Sequence, residues 1–294
     1  MKKYYILLLL SSFLLARIRV VTSTTDLADI VKTIGGNRVT VASIARGNQD
    51  PHYVEVLPSY MLKMKKADLY FKVGMELDLW SQQIIDGSRN RKLKIIDCST
   101  GIEKLEVPTS RVNASMGDIH RFGNPHYWLD PENGKRIAVQ VVTALTNMDP
   151  EGGDLYRQNY ESFSATIDSA VTRWEQTYSD LKGKRIIFYH NSWPYFAQRF
   201  GLVTREFLEP KPGITPSPAH LNDLVQLVKA EGIRIVGSES YFSTKAPEFL
   251  AKKTGIIPVQ LAQSVGALEG VNSYLDIFEF NLKTLAEAYG VNHD

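Results

Sequence analysis

The sequence predicts an α/β protein of two similar lobes, each with a mainly parallel sheet, joined by one long spine helix. Two observations support this fold class. Strand-like apolar runs alternate with amphipathic stretches and short loops in both halves of the 294-residue chain, which is the pattern of parallel sheets covered by helices. Between the halves, the 28 residues from Asp154 to Leu181 contain neither Pro nor Gly, so one uninterrupted helix is expected there.

The first half opens with the apolar run RIRVVT, which is typical of a buried strand. The helix that follows is closed by Gly35 and Gly36, and glycine commonly ends helices. The predicted elements are a strand at 17–22, a helix at 26–34, a strand at 39–44, a helix at 59–67, and strands at 69–73 and 94–97.

The second half repeats this plan, beginning with the apolar run RIIFY. Its strands are predicted at 185–189, 206–208, 234–237 and 258–261, and its helices at 195–200, 218–231 and 246–254. Each half is therefore expected to form a small α/β lobe of its own.

The segment between the halves has one apolar stripe at helical spacing. Its members are Leu155, Tyr160, Phe163, Ile167, Ala170, Val171, Trp174, Tyr178 and Leu181. A helix of this length extends about 40 Å at ~1.5 Å per residue. We expect it to act as a spine that limits the relative motion of the lobes.

The amino terminus has the pattern of a secretory signal peptide, because Lys2 and Lys3 precede a short apolar run from Tyr4 to Ala16. That run is too short to span a bilayer. No cysteine lies at the end of this run, so a periplasmic protein without a lipid anchor is expected. The only cysteine, Cys98, is expected to be buried. The predicted domains are a signal peptide at 1–16, a first lobe at 17–150, a linking helix at 151–182 and a second lobe at 183–294.

The composition excludes some partners. The chain is 44% hydrophobic and 22% charged, with a net charge of +2. That charge is too small, and too evenly spread, for a nucleic-acid partner. The mature protein is expected to be soluble, because no other apolar stretch approaches the length of a bilayer-spanning helix, and it is expected to be a monomer.

Three of the six histidines have similar surroundings, in loops at the ends of predicted strands or the starts of helices. They are His52, His126 and His190. Ligands of open α/β sheets bind at the carboxyl ends of strands, and imidazole is the commonest protein ligand for zinc. Pro51 and Pro125 directly precede two of these histidines and restrict the backbone there. Their long separations match no local metal motif, so spacing alone is weak evidence for a site.

Several long motifs, in order, resemble the periplasmic solute-binding proteins that serve zinc and manganese ABC importers. They are VVTSTTDLADIVKTIGG, DPHYVEVLPSYMLKMKKADLYFKVGMELDLW, GNPHYWLDPENGK, YHNSWPYFAQRFGL, EPKPGITPSPAHL and SESYFSTKAPEFLAKKTG. The resemblance extends from Arg17 to Gly290. It implies two lobes around a metal ion, with delivery of that ion to an ABC transporter permease in the inner membrane.

The same resemblance implies the metal ligands. His52 and His126 would come from the first lobe and His190 from the second. Three histidines go with Zn²⁺ more often than with Mn²⁺ in this family, since imidazole suits zinc and carboxylates suit manganese. Manganese or iron remains an alternative cargo.

The fourth ligand departs from the pattern of the family. Many members have a carboxylate just after the last strand, where this chain reads VQLAQSVG. Glu239, at the end of the strand before it, is the candidate replacement. A water molecule is the rival, and Glu239 would then be a hydrogen-bond acceptor near the site.

The remaining histidines are expected to play smaller parts. Related zinc proteins often have a longer His- and acid-rich loop at the position of His120 and Asp118. Here we expect His120 to be a solvated loop residue, with a transient metal contact as the alternative. His220 and His293 are expected to take no part.

Two other functions share features with this sequence, a hydrolytic zinc enzyme and a surface adhesin. Three histidines and a water also describe a hydrolytic zinc enzyme, with Glu239 or Asp50 as its general base. No motif indicates catalysis, so we predict that the protein is not an enzyme. A surface adhesin is disfavoured by the missing lipid-anchor cysteine.

Overall fold

Two parallel four-stranded sheets organise the chain. A computed structural model describes residues 17–110, 117 and 120–291. The first sheet has the order β2-β1-β3-β4, and every neighbouring pair is parallel. Its strands are β1 Ile18–Thr22, β2 Val39–Ser43, β3 Leu69–Lys72 and β4 Lys94–Asp97. This sheet and its helices are called the first lobe.

The second sheet repeats the topology, with the order β6-β5-β7-β8 and parallel pairing throughout. Its strands are β5 Arg185–Phe188, β6 Val203–Phe207, β7 Ile235–Glu239 and β8 Ile257–Leu261. With its helices it is called the second lobe. The predicted α/β fold class is confirmed.

Nine α-helices connect or flank these strands in the described part of the chain. They are α1 Thr25–Gly35, α2 Pro58–Lys66, α3 Trp80–Ser88, α4 Pro131–Met148, α5 Gly153–Thr177, α6 Pro194–Phe200, α7 Pro218–Glu231, α8 Lys245–Thr254 and α9 Tyr274–Tyr289. Helices α3 and α9 are not among the predicted elements, and for α4 the sequence indicates only a helix start at Pro131. Helix α9 begins with a capping box, in which Ser273 and Asp276 satisfy each other's backbone N–H groups.

The long helix α5 is slightly shorter than predicted. It ends at Thr177, because Tyr178 leaves the helical conformation (φ −107°, ψ 22°), and a 3₁₀ turn at Ser179–Leu181 follows. At ~1.5 Å per residue its 25 residues extend about 37 Å. Its buried stripe includes Phe163, Ile167 and Trp174.

The core runs without a break from one lobe to the other. A single apolar cluster contains strand residues of both sheets and the stripe of α5. Trp174 packs against Phe200 of α6 and Phe278 of α9. The last helix also binds the first, since the N–H of Tyr274 donates to Asp29 over 2.8 Å.

The loop after β8 adds polar links between the lobes. The buried carboxylate of Asp26, on α1, accepts hydrogen bonds from the hydroxyl of Ser264 and the N–H of Val265. Nε1 of Trp128 donates to the carbonyl oxygen of Gln263 over 2.9 Å. This loop is therefore held by first-lobe groups on two sides.

Three predictions concern parts of the chain outside the site: Cys98, the helices and the amino terminus. Cys98 is fully buried, as predicted. Among the residues that the structure describes, none of the helices has the length and apolar character that a bilayer crossing requires. The predicted signal peptide at 1–16 lies outside the described residues.

Candidate metal centre

The structure brings the three predicted histidines together. His52 follows β2, His126 immediately precedes a 3₁₀ turn at Tyr127–Leu129, and His190 follows β5. Their ring centroids are 5.1 to 5.7 Å apart. In the described part of the chain they form the one group of His, Cys, Asp or Glu side chains whose potential ligand atoms all lie within 4.8 Å of one another.

Two of the histidines are positioned by the same local device. In Asp50-Pro51-His52, one carboxylate oxygen of Asp50 accepts from both the backbone N–H of His52 and its Nδ1, at 2.9 and 2.8 Å. In Asn124-Pro125-His126, the amide oxygen of Asn124 accepts from the corresponding two atoms, at 3.1 and 3.0 Å. An Asx side chain that binds the backbone two residues on forms an Asx turn, and here the turn also orients the imidazole.

The orientation of Asn124 follows from its other contacts. Its Nδ2 donates to the carbonyl oxygen of Asn191 over 2.7 Å and to the carboxylate of Glu106 over 3.1 Å. The amide oxygen must therefore face His126, so Nδ1 of that ring carries the proton. Its Nε2 is left with a lone pair.

A residue from a different strand orients the third histidine. Nδ1 of His190 lies 2.6 Å from the carboxylate of Glu209, which follows β6 and is itself buried. The same oxygen accepts from the N–H of Gly213 over 3.0 Å. All three imidazoles thus have their Nδ1 atoms occupied by an oxygen acceptor, the arrangement that metal-ligating histidines show.

The Nε2 atoms remain for a metal. Nε2 of His126 is buried and has no hydrogen-bond partner among the described residues, a condition that costs free energy unless a ligand is bound. Zinc bonds of ~2.0–2.1 Å in a tetrahedron put ligand nitrogens about 3.4 Å apart. Ligand atoms within 4.8 Å of one another need to approach by at most about 1.4 Å to reach that geometry.

The electrostatic surroundings differ between the rings. Burial, followed by the neighbouring His52 and His190, lowers the pKa of His126 well below its usual value, so this ring is neutral and ready to bind a cation. Burial also lowers the pKa of His190, but the hydrogen bond and charge of Glu209 outweigh it and the net pKa is raised. A metal at this site therefore competes with a proton at His190, whereas His126 is already neutral.

Glu239, the predicted fourth ligand, lies at the end of β7 and is buried. One carboxylate oxygen accepts from Nε1 of Trp193 over 3.0 Å; the other has no partner in the described part of the chain. Its oxygens lie outside the set that the three histidines form. Burial raises the pKa of Glu239 to about 7, so its ligand role stays a prediction.

His120 differs from the expectation of a solvated loop residue. Its Nε2 lies 3.2 Å from Nε2 of His52, and the two rings are stacked. It also lines a cavity of about 450 Å³ together with His126 and His190. His220 lies on α7, where Nε2 contacts the carbonyl oxygen of Phe207; His293 and Asp118 lie outside the described residues.

Sequence reasoning missed the residues that orient the rings, except for Asp50, which it considered only as a base. The repeated tripeptide Asx-Pro-His would have identified Asp50 and Asn124 as partners of His52 and His126. No local pattern connects Glu209 with His190, because the two are joined through adjacent strands β5 and β6.

The fold and the site together define the class. Two parallel α/β sheets, a long helix and an imidazole cluster formed by both lobes are the features of the substrate-binding proteins of metal ABC transporters. Residues 20–288 match the family described as ZnuA, zinc-uptake complex component A, periplasmic. The chain belongs to this family, and the predicted resemblance is confirmed.

Comparisons with individual proteins agree. The chain is 25% identical over 281 residues to the manganese ABC transporter substrate-binding lipoprotein PsaA of Streptococcus pneumoniae, covering 92% of this chain and 88% of that one. A crystal structure of ZnuA superposes with a TM-score of 0.81 at 26% identity, over 92% and 99% of the two chains. A zinc-bound ZnuA deletion mutant superposes with a TM-score of 0.78 at 26% identity, over 95% and 98%. Such relatives are binding proteins of importers and not enzymes, as predicted.

Proposed function

We propose that this protein captures a divalent transition-metal ion outside the cytoplasm, with zinc as its main cargo, and delivers it to the permease of an ABC importer. The observation that carries the proposal is the convergence of His52, His126 and His190, each with its Nδ1 atom bound to an oxygen acceptor. The opposite ring nitrogens, the Nε2 atoms, are then available as a ligand set for one ion.

The chemistry of the donors supports zinc ahead of manganese. The set within 4.8 Å contains three imidazoles and no carboxylate, and imidazole suits zinc whereas carboxylate-rich sites suit manganese. One relative is named for manganese, and one similar structure is described as zinc-bound. Manganese or iron is therefore the alternative cargo that the experiment must separate.

Delivery to a permease follows from the class, whose members work with a membrane permease and an ATPase. We propose that the protein does so as a monomer, because the three clustered histidines all lie within one chain. We further propose that it acts in the periplasm. PsaA is named a lipoprotein, and whether this chain carries an anchor concerns residues outside the described ones.

Elemental analysis of residues 17–294 tests the proposal, with His190→Ala beside the unchanged protein and His220→Ala as a matched control outside the cluster. We expect about one zinc per chain in the unchanged protein and the control, and strong loss in His190→Ala. Circular dichroism verifies that each variant is folded. Manganese in place of zinc would change the cargo, and absence of tight metal binding in the folded unchanged protein would overturn the function.

A further inference from the structure

The fourth histidine at the cluster is His120. Its Nε2 is 3.2 Å from Nε2 of His52, close to the ~3.4 Å that separates two nitrogens bound to one tetrahedral zinc ion. It also borders the same cavity as His126 and His190. His120 therefore faces the space in which the three Nε2 atoms converge.

The tautomer of His52 explains this contact without a metal. Nδ1 of His52 is bound to the carboxylate of Asp50 at 2.8 Å, so that nitrogen is the donor and Nε2 carries the lone pair. The neighbouring Nε2 of His120 must then carry a proton and donate it to His52. A metal ion between the two nitrogens would replace that proton.

The main chain around His120 is attached to both lobes. The backbone N–H and the guanidinium of Arg121 bind the carboxylate of Glu76 in the first lobe. On the other side, Gly117 (φ +79°) packs against Pro212 of the second lobe so closely that a Cβ would clash with its carbonyl oxygen. Gly123 also donates its N–H to the carbonyl oxygen of His120. These contacts hold the imidazole at the cluster.

The other candidates for the fourth position have partners of their own. One oxygen of Glu239 accepts from Trp193. Glu239 and His120 both lie outside the set within 4.8 Å, but Nε2 of His120 lies 3.2 Å from Nε2 of His52, a member of that set. Gln263, in the loop where many relatives have a carboxylate, accepts from the hydroxyl of Tyr241. We infer that His120 supplies the fourth ligand and completes a site of four imidazoles, an inference that rests on the proposed function.

The position of His120 also makes it the exchangeable ligand. His126 and His190 are 1% and 6% exposed, whereas His52 and His120 are half-buried. His120 lines a second cavity of about 260 Å³ as well, beside the exposed side chains of Tyr53 and Leu79. It therefore lies on the solvent side of the cluster, where a ligand can detach without opening the core.

X-ray absorption of the zinc-loaded, exported protein tests the inference, together with zinc competition titrations. The variants are His120→Ala, His120→Asp, which retains a possible ligand, Glu239→Gln, and His220→Ala as the control. We expect four imidazoles in the unchanged protein and three in His120→Ala, whose zinc affinity should fall at least 100-fold, beyond the ~10–100-fold effect of outer groups. His120→Asp should recover part of the affinity, and the other two variants should keep four imidazoles.

Three imidazoles in the unchanged protein, with unaltered affinity in His120→Ala, would overturn the inference in favour of water. Three imidazoles, with the loss in Glu239→Gln instead, would assign the fourth ligand to that carboxylate. In both cases zinc still binds and His190→Ala still abolishes it, so the proposed function survives. If the unchanged protein binds no metal, the proposed function itself fails.

Discussion

Asp50, Asn124 and Glu209 do the same work at three different histidines. Each presents an oxygen to Nδ1 over 2.6 to 3.0 Å, which fixes the tautomer and leaves Nε2 for the proposed metal. They differ in charge, and the hydrogen bond and charge of Glu209 raise the pKa of His190. His126, the partner of Asn124, is the most deeply buried of the three histidines. A neutral acceptor at this position avoids burying a charge beside the ring.

Glu209→Ala should weaken zinc binding by about 10–100-fold, since His190 would lose its orienting acceptor. Glu209→Gln retains an oxygen that can accept from Nδ1 and should lose less. Chelator competition measures both, with Glu231→Gln as the control, because Glu231 pairs with Arg205 on the surface. Equal affinities for the alanine variant and the unchanged protein would show that Glu209 does not position the ring.

At the scale of elements, the loop after β8 packs tightly against the loop that leads to His52. Gly47, in the loop that leads to His52, lies against it so tightly that a Cβ would come within 2.7 Å of the carbonyl carbon of Gly266. The contact is between two backbones, so neither can move aside as a flexible side chain would. The first-lobe loop that leads to His52 therefore contacts the second-lobe loop after β8 directly.

Gly47→Ala should lower the free energy of unfolding by about 1–3 kcal/mol, the usual cost of overpacking. It should also weaken zinc binding, because the shift displaces the loop that carries His52. Gly153→Ala is the matched control, since its Cβ would meet only a side-chain methyl of Thr146 at 3.2 Å. Urea unfolding of the three proteins measures the effect, and equal stabilities would contradict the close contact.

Much of the fold could be predicted at this scale, because each buried strand is a short run rich in β-branched or aromatic residues between turn residues. Helix α3 was missed because its sequence, WSQQIIDGS, has few apolar residues and ends in turn formers. The capping box at Ser273 is a sequence pattern that would have predicted the start of α9. The three metal histidines followed from the family resemblance, while the contact between His52 and His120 depends on loops that only the folded chain brings together.

At the scale of the whole molecule, the lobes share one apolar core and a buried carboxylate. Asp26 is completely buried between α1 and the loop after β8, and burial raises its pKa to about 7. The folded protein therefore holds a proton that the unfolded chain has released between about pH 4 and pH 7. The contribution of this group to stability is full below that range and is lost as the pH rises through it.

Asp26→Asn should remove this pH dependence. The amide can still accept from the N–H of Val265 and can donate to the hydroxyl of Ser264, so the fold is retained. Between pH 4 and pH 7 the stability of the unchanged protein should fall relative to the variant, by up to about 1.4 kcal/mol per pH unit. Urea unfolding of both metal-free proteins at several pH values checks this, and parallel curves would contradict the assigned burial.

Helix α9 makes the shared core depend on residues that are synthesised last. Phe278 and the N–H of Tyr274 complete packing and hydrogen bonding that begin at α1 and α5, so the first lobe depends on some of the last residues to be synthesised. A chain that is still leaving a ribosome or a secretion channel cannot finish its interior before residue 289. We expect such a chain to become resistant to proteases only when α9 has emerged.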